Sequence, residues 1–427
     1  MVHEQASAGG RGSVDASTWV CHRASWLFPG NGPPVEDGAV LVKGRVIAAA
    51  GTYNEILDRV PWGTYVEDHG NAVLMPALVN AHTHLELTGL EGRIPLPQPG
   101  FAAWLERLFA EKARSGGLDP AQAVEKGLGK LREGGTVLCG DVGNEIVLGA
   151  GKGEAGTPLR QVFLEVLGFH ETEPEAALGP GVWKNYLEAW EDNPLLGLGA
   201  HSCYATSPEL IRALWSACRS KGRPFTIHVA EHEEELEFVR SGTGYFRELL
   251  ERLGKWNPSW RASGPTPLSH LDALGVLDAR TLLAHAVHFT DEDWDLAAAR
   301  GCAVCFCPRS NANLHTGLPA PEKALKRNVP CALGTDSLAG NTDLSLFAEG
   351  AFVLDRFPGV SPEQVALMMT AGGARALGWE HRFGALDTGR RAAVLAVDLP
   401  EGTEASKLAE RMVEQGKKGA VRWACGP

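Results

Sequence analysis

Val73-Leu74-Met75-Pro76-Ala77-Leu78-Val79-Asn80-Ala81-His82-Thr83-His84 decides how the rest of the chain is read. An apolar run of strand length ends in two histidines at i and i+2, and strand alternation turns both imidazoles to one side. Two neutral imidazoles on one face can chelate a borderline metal such as Zn²⁺ or Fe²⁺, although a pair of exposed loop histidines gives the same spacing. From this point to about residue 377, short apolar strands alternate with helix-length amphipathic segments. That alternation is the signature of βα units around a parallel sheet.

Eight such strands are predicted, each ending in polar residues: Val73 to Asn80, Thr136 to Asp141, Gln161 to Gly168, Leu195 to His201, Phe225 to His228, Thr281 to His285, Cys302 to Cys307 and Pro330 to Asp336. Helix starts are marked between them, as in Ser207-Pro208-Glu209 and Ser361-Pro362-Glu363, each an N-cap residue followed by Pro at the first helical position. The fold class expected is α/β, a (β/α)₈ TIM barrel over residues 73–377. A doubly wound open sheet competes, but it has fewer strands and a glycine-rich turn after the first, and no G-x-G-x-x-G follows any strand here. Upstream, Gly38 to Ala48 reads as a hairpin with a Lys43-Gly44 turn, and Ala392 to Asp398 returns to β-like sequence near the other end. Residues 1–72 together with 378–427 are therefore expected to form a small β-sandwich domain built from both chain termini. The Gly/Ser-rich first seventeen residues read as a mobile lead.

Composition narrows the function classes. The chain has 427 residues, 44% hydrophobic and 22% charged, ordinary values for a globular protein. A net charge of −12 with no Lys/Arg-rich run argues against a nucleic-acid polymer as partner, while leaving small nucleosides open. Nine cysteines without framework spacing, no apolar leader and no run of eighteen apolar residues suggest a reduced, soluble, cytoplasmic enzyme without a membrane partner. A small-molecule substrate is the expected partner, and a homo-oligomer is compatible with this composition.

Three more strand ends carry chemistry. The fifth ends in His228-Val229-Ala230-Glu231, the sixth in His285-Ala286-Val287-His288, and the eighth in Gly334-Thr335-Asp336-Ser337. In a (β/α)₈ barrel all strand C-termini face one mouth, so His82, His84, His228, His285 and Asp336 converge despite their separation in sequence.

With these motifs in order, and with Cys307-Pro308-Arg309-Ser310-Asn311 after strand seven, the chain resembles the amidohydrolase superfamily, in its branch of mononuclear deaminases and chlorohydrolases. The resemblance implies that His82, His84, His228 and Asp336 hold one divalent metal, Zn most readily and Fe as the other candidate, with a water in the open position. It further implies catalytic roles for Glu231, His285 and Asp336: Glu231 protonating a ring nitrogen, His285 stabilising the developing tetrahedral centre, and Asp336 accepting the water's proton. Binuclear members carry a bridging lysine at the end of strand four; here Gly199-Ala200-His201-Ser202 has none, which favours a single metal.

The implied function is hydrolytic deamination of an aminated N-heterocycle. The stretch Asn80 to Glu86 and the insertion Gly242 to Pro267 look most like the adenosine-type aminodeoxyfutalosine deaminases of bacterial menaquinone synthesis. Chlorohydrolase or other triazine and C–N hydrolysis with the same metal water is the alternative, and a non-catalytic barrel scaffold a third. Substrate contacts are expected from Glu86, His201, Arg309 and Asn311, each of which could equally bond a neighbouring loop. Phe101 and Trp104 could stack on a base or pack in the core. His288 is expected to pack or hydrogen-bond behind the site. Cys302, Cys305 and Cys307 read as core residues rather than as a metal cluster.

Overall fold

The computed structural model describes residues 17–114, 119–144, 156–262 and 264–426, so most of the N-terminal lead lies outside the described residues. Eight parallel strands pair in chain order: Leu78–Thr83, Thr136–Gly143, Leu159–Val166, Leu196–Ala200, Phe225–Val229, Thr281–His285, Ala303–Phe306 and Cys331–Leu333. Their residues are buried almost throughout, as expected of strands covered by side chains inside and helices outside. The expected caps form: Ser207 Oγ accepts from the Leu210 amide, and Ser361 makes a reciprocal capping box with Gln364.

The ring closes at the future site. The backbone amides of Thr335 and Asp336 both donate to the His82 carbonyl at 3.1 Å, and Thr83 Oγ1 donates to the Asp336 carbonyl at 2.9 Å. Gly334 permits that approach. A Cβ there would lie 2.7 Å from both the His82 carbonyl oxygen and Cys305 Sγ.

The stretch Val73 to Asn80, expected as one barrel strand, is two strands in two sheets. Ala72–Pro76 pairs antiparallel with Val394–Asp398 and parallel with Trp26-Leu27. The amide of Ala77 still donates to Ala393, whereas that of Leu78 donates to Gly135 at the barrel's second strand. Hydropathy cannot see this transfer, because the run is buried on both sides in both sheets.

The remaining strands from the two ends form the expected β-rich unit, linked as one mixed seven-stranded sheet. Its order is Val421–Cys425, Val394–Asp398, Ala72–Pro76, Trp19–Leu27, Val35–Lys43 and Val46–Thr52, with Tyr65–Asp68 pairing to Trp19–Leu27 off this path. The tail also supplies a helix, Leu408–Lys417, not foreseen from its sequence. Its Leu408, Met412 and Val413 belong to the barrel's hydrophobic core, and Gly416 lies against Phe347 of the helix Leu346–Arg356.

Gly334→Ala should cost about 1–3 kcal/mol through overpacking at the closure. Gly129→Ala, on a helix where a Cβ meets nothing, should stabilise by up to about 1 kcal/mol. Thermal denaturation of the two variants checks the contrast; equal midpoints would remove the role given to Gly334.

Candidate metal centre and its cavity

The predicted ligands meet at the carboxyl ends of strands one, five and eight. Ring nitrogens of His82, His84 and His228 lie within 4.8 Å of one another, and so do donor atoms of Glu231, His285 and Asp336. His84 Nε2 approaches His228 Nε2 to 3.2 Å and Asp336 Oδ1 to 3.7 Å. Several of these residues leave their strands with left-handed backbone: φ is +75° at His285, +55° at Asp336 and +50° at Ala230, just before Glu231. Non-glycine residues held there cost on the order of 1–3 kcal/mol each and gather where a side chain must be aimed.

Two of the four predicted ligands, His228 and Asp336, are braced on their far side. The His228 Nδ1–H donates to the His201 carbonyl at 2.7 Å, which leaves Nε2 with its lone pair toward the centre. Ser310 Oγ donates to Asp336 Oδ2 at 2.5 Å, leaving Oδ1 facing His84. Asn311 Nδ2 contacts both His285 Nδ1 and Thr316 Oγ1 at 3.2 Å, while the Thr316 hydroxyl donates to the Asn311 carbonyl. Asn311 and Thr316 thus hold the His285 ring from its Nδ1 side. His288, by contrast, donates from Nε2 to the Thr316 carbonyl at 2.7 Å, behind the site as expected.

The donor set fits one divalent cation. His82 is fully buried and neither of its ring nitrogens has a hydrogen-bond partner, an expense of about 1–3 kcal/mol unless a cation takes a lone pair. Burial, reinforced by neighbouring imidazoles, pushes the His82, His228 and His285 rings down, the last to about 3, so all three are neutral and able to ligate near pH 7. Glu165, His201 and His228 form a further cluster, but there His228 offers only Nδ1, already donated to a carbonyl, and Glu165 bonds His201 Nδ1 at 2.7 Å. That group braces the ligands from behind. Burial pushes the Glu165 carboxyl up, and the imidazoles of His201, His84 and His228 more than reverse it, holding the acid below the usual carboxylate range. Glu231 differs: burial, then the neighbouring acids Asp336 and Glu235, push it well above that range. Its Oε1 is 3.6 Å from His285 Nδ1.

A cavity of about 500 Å³ opens from this centre, a volume usual for small-molecule sites. His84, His228, His285, Glu231, Asp336, Glu165, His201 and Glu86 line its inner end; Phe101, Trp104, Phe169, Tyr204, Phe246 and Leu250 make an apolar wall. Phe101 and Trp104 pack and line at once: Phe101 stacks on His232 with centroids 3.8 Å apart, and Trp104 Nε1 donates to the Ala339 carbonyl. Glu86 accepts from Asn144 Nδ2 at 2.6 Å, with Lys112 Nζ 3.8 Å away.

Two expected substrate contacts are placed elsewhere. Arg309 does not line the cavity. Its guanidinium grips both Asp343 oxygens at 2.8 Å, bonds Thr342 Oγ1, and lies 3.6 Å from Glu349. Helix rotation explains this, since about 100° per residue along Pro308–Asn313 turns Ser310 to Asp336 and Asn311 to His285 while sending Arg309 outward. Asn311 is buried and acts on His285 instead. Sequence reasoning missed Glu165, whose signal was an isolated acid in the apolar strand Phe163-Leu164-Glu165-Val166, and missed the cavity-lining face of the helix Tyr245–Arg252, with Phe246, Leu249 and Leu250. The three cysteines of strand seven are buried core residues, and every described cysteine is a free thiol.

Comparison with known proteins agrees with this geometry. The sequence profile of the Amidohydrolase family matches residues 73–422. The chain is 33% identical over 376 residues to an aminodeoxyfutalosine deaminase of Deinococcus radiodurans, covering 84% of this chain and 85% of that one. It is 30% identical over 392 residues to a 5-methylthioadenosine/S-adenosylhomocysteine deaminase of Syntrophobacter fumaroxidans, covering 86% and 82%. Its fold is that of the Helicobacter pylori aminofutalosine deaminase solved with methylthio-coformycin, with a TM-score of 0.81, 22% identity and coverage of 92% and 96%. The chain belongs to the amidohydrolase family.

Proposed function

We propose that this protein is a hydrolytic deaminase of an aminated purine nucleoside, with zinc as its metal and a 6-amino nucleoside of the aminodeoxyfutalosine type as substrate. The observation that carries the reading is Glu231, a buried carboxyl beside the donor cluster, 3.6 Å from His285 and lining an aromatic cavity. The named relatives support it, since two that cover over four-fifths of the chain are purine nucleoside deaminases by name.

His82, His84, His228 and Asp336 would hold the metal, which when bound makes a water nucleophilic near neutral pH. The chain's own groups do the rest. Glu231 gives its proton to the ring nitrogen next to the amino-bearing carbon, which makes that carbon electrophilic. His285, held by Asn311, stabilises oxygen charge as the carbon becomes tetrahedral. Asp336, steadied by Ser310, accepts the attacking water's proton and passes it to the amino group, which leaves as ammonia, while the hydroxyl proton returns to Glu231 as C=O forms. Glu86 and His201 face the same cavity and are the side chains proposed to bind the rest of the nucleoside. Among the described residues no helix is long and apolar enough to cross a membrane. A cytoplasmic site of action, in menaquinone synthesis, is part of the proposal.

Ammonia release should be found with aminodeoxyfutalosine, 5′-methylthioadenosine or adenosine, and be weak with guanine and cytosine. Chloride or alkylamine release from triazines, with no ammonia from any nucleoside, would overturn the deaminase reading. Glu231→Gln should keep its metal and lose about 10²–10⁴ in kcat, whereas Asp336→Ala should lose metal and turnover together; elemental analysis beside a coupled ammonia assay separates the two. Ser310→Ala should weaken metal affinity about 10–100-fold in chelator competition, and unchanged affinity would remove Ser310 from the ligand support.

A further inference from the structure

The terminal sheet holds a second cluster of metal-capable side chains, on strands that take no part in the barrel mouth. The parallel register of Trp19–Leu27 with Tyr65–Asp68 puts His22 opposite Glu67, and His69 follows two residues after Glu67, on the same side by alternation. His22 Nδ1 is 3.2 Å from His69 Nε2 and 3.3 Å from Glu67 Oε2, and donor atoms of all three lie within 4.8 Å of one another. His22 is 3% and His69 9% exposed, whereas the Glu67 side chain is 38% exposed, so the cluster opens to water on its carboxylate side.

A hydrogen bond between His22 Nδ1 and His69 Nε2 accounts for one of these approaches and leaves the 3.3 Å approach to Glu67 without one from the same nitrogen. His22 Nδ1 carries at most one proton and faces two partners at nearly equal distances, both longer than a charge-assisted bond. Bonds of about 2.0–2.1 Å to nitrogen and oxygen in a tetrahedral shell set donors about 3.3 Å apart. The two measured separations match that edge, as does the 3.2 Å approach of His84 to His228 in the barrel. Two imidazoles with one carboxylate suit a borderline transition ion and not Ca²⁺ or Mg²⁺. Among the described residues, Arg23 is engaged by Asp37 at 2.7 Å, and Arg422 by Asp398 and by the His69 carbonyl.

We propose that His22, Glu67 and His69 bind a second zinc ion, with water completing the shell, independently of the barrel centre. The ion joins Trp19–Leu27 to Tyr65–Asp68, a four-residue strand whose other residues are largely exposed and which lies off the main path of the sheet. An ion bound by the folded state alone stabilises that state in proportion to the logarithm of its concentration.

The test is zinc stoichiometry of the full-length protein after dialysis against low micromolar free zinc. Wild type should hold two equivalents. His69→Gln and Glu67→Gln should each hold one and release ammonia at the wild-type rate, while Asp336→Ala should hold one without turnover. Added zinc should raise the melting temperature of Asp336→Ala and not of the Asp336→Ala, His69→Gln double variant. One equivalent in wild type that Asp336→Ala abolishes, or two equivalents retained in both His69→Gln and Glu67→Gln, would overturn the site. Should His69→Gln misfold, the partly exposed Glu67→Gln decides.

Discussion

His82 carries two ring nitrogens into a site with no exposure and no hydrogen-bond partner, and the barrel mouth is arranged around that imbalance. A lone pair buried beside other lone pairs is tolerated only if a cation satisfies them together. The surrounding groups fit that demand: His228 has its far nitrogen tied to a carbonyl, Asp336 has one oxygen tied to a hydroxyl, and the carbonyl of His82 itself joins strand eight to strand one. Ring closure and ligand placement are thus one set of hydrogen bonds. A change that loosens either loosens both.

Burial sorts the carboxyl groups at this mouth into two kinds. Glu165 has imidazoles for neighbours and stays ionised as a brace. Glu231 has other acids for neighbours, and burial beside them pushes its carboxyl up. The same residue type is thereby set up differently in two places, by a hydrogen-bonding imidazole against one carboxyl and by burial beside other acids against the other.

The barrel and the convergence of its polar strand ends were legible because polar residues closing apolar strands stand out against their surroundings, and because (β/α)₈ geometry brings strand ends together whatever their distance in sequence. His82, His84, His228, His285, Glu231 and Asp336 were picked out that way as candidates, and the roles proposed for them came from the resemblance. Arg309 was misplaced because strand-end reasoning assigns one direction to residues that a helix then fans out. The break at Ala77 was invisible because both sheets ask the same hydropathy of the chain. Glu165 was hidden by a partner, His201, that is 36 residues away and meets it only in the fold. The His22, Glu67 and His69 cluster was missed for a related reason, since its donors come together only through strand register.

The joint at Ala77 bears on how the protein is made. Ala72–Pro76 lies between Trp19–Leu27, already synthesised, and Val394–Asp398, which comes after the entire barrel. At 5–20 residues per second, translation leaves that central strand without its second neighbour for roughly fifteen seconds to a minute. Throughout that interval an apolar edge with unmatched amides stands open while the barrel assembles beside it, inviting pairing with another nascent chain. The interleaved ends keep that edge open until the last strands arrive to seal the sheet.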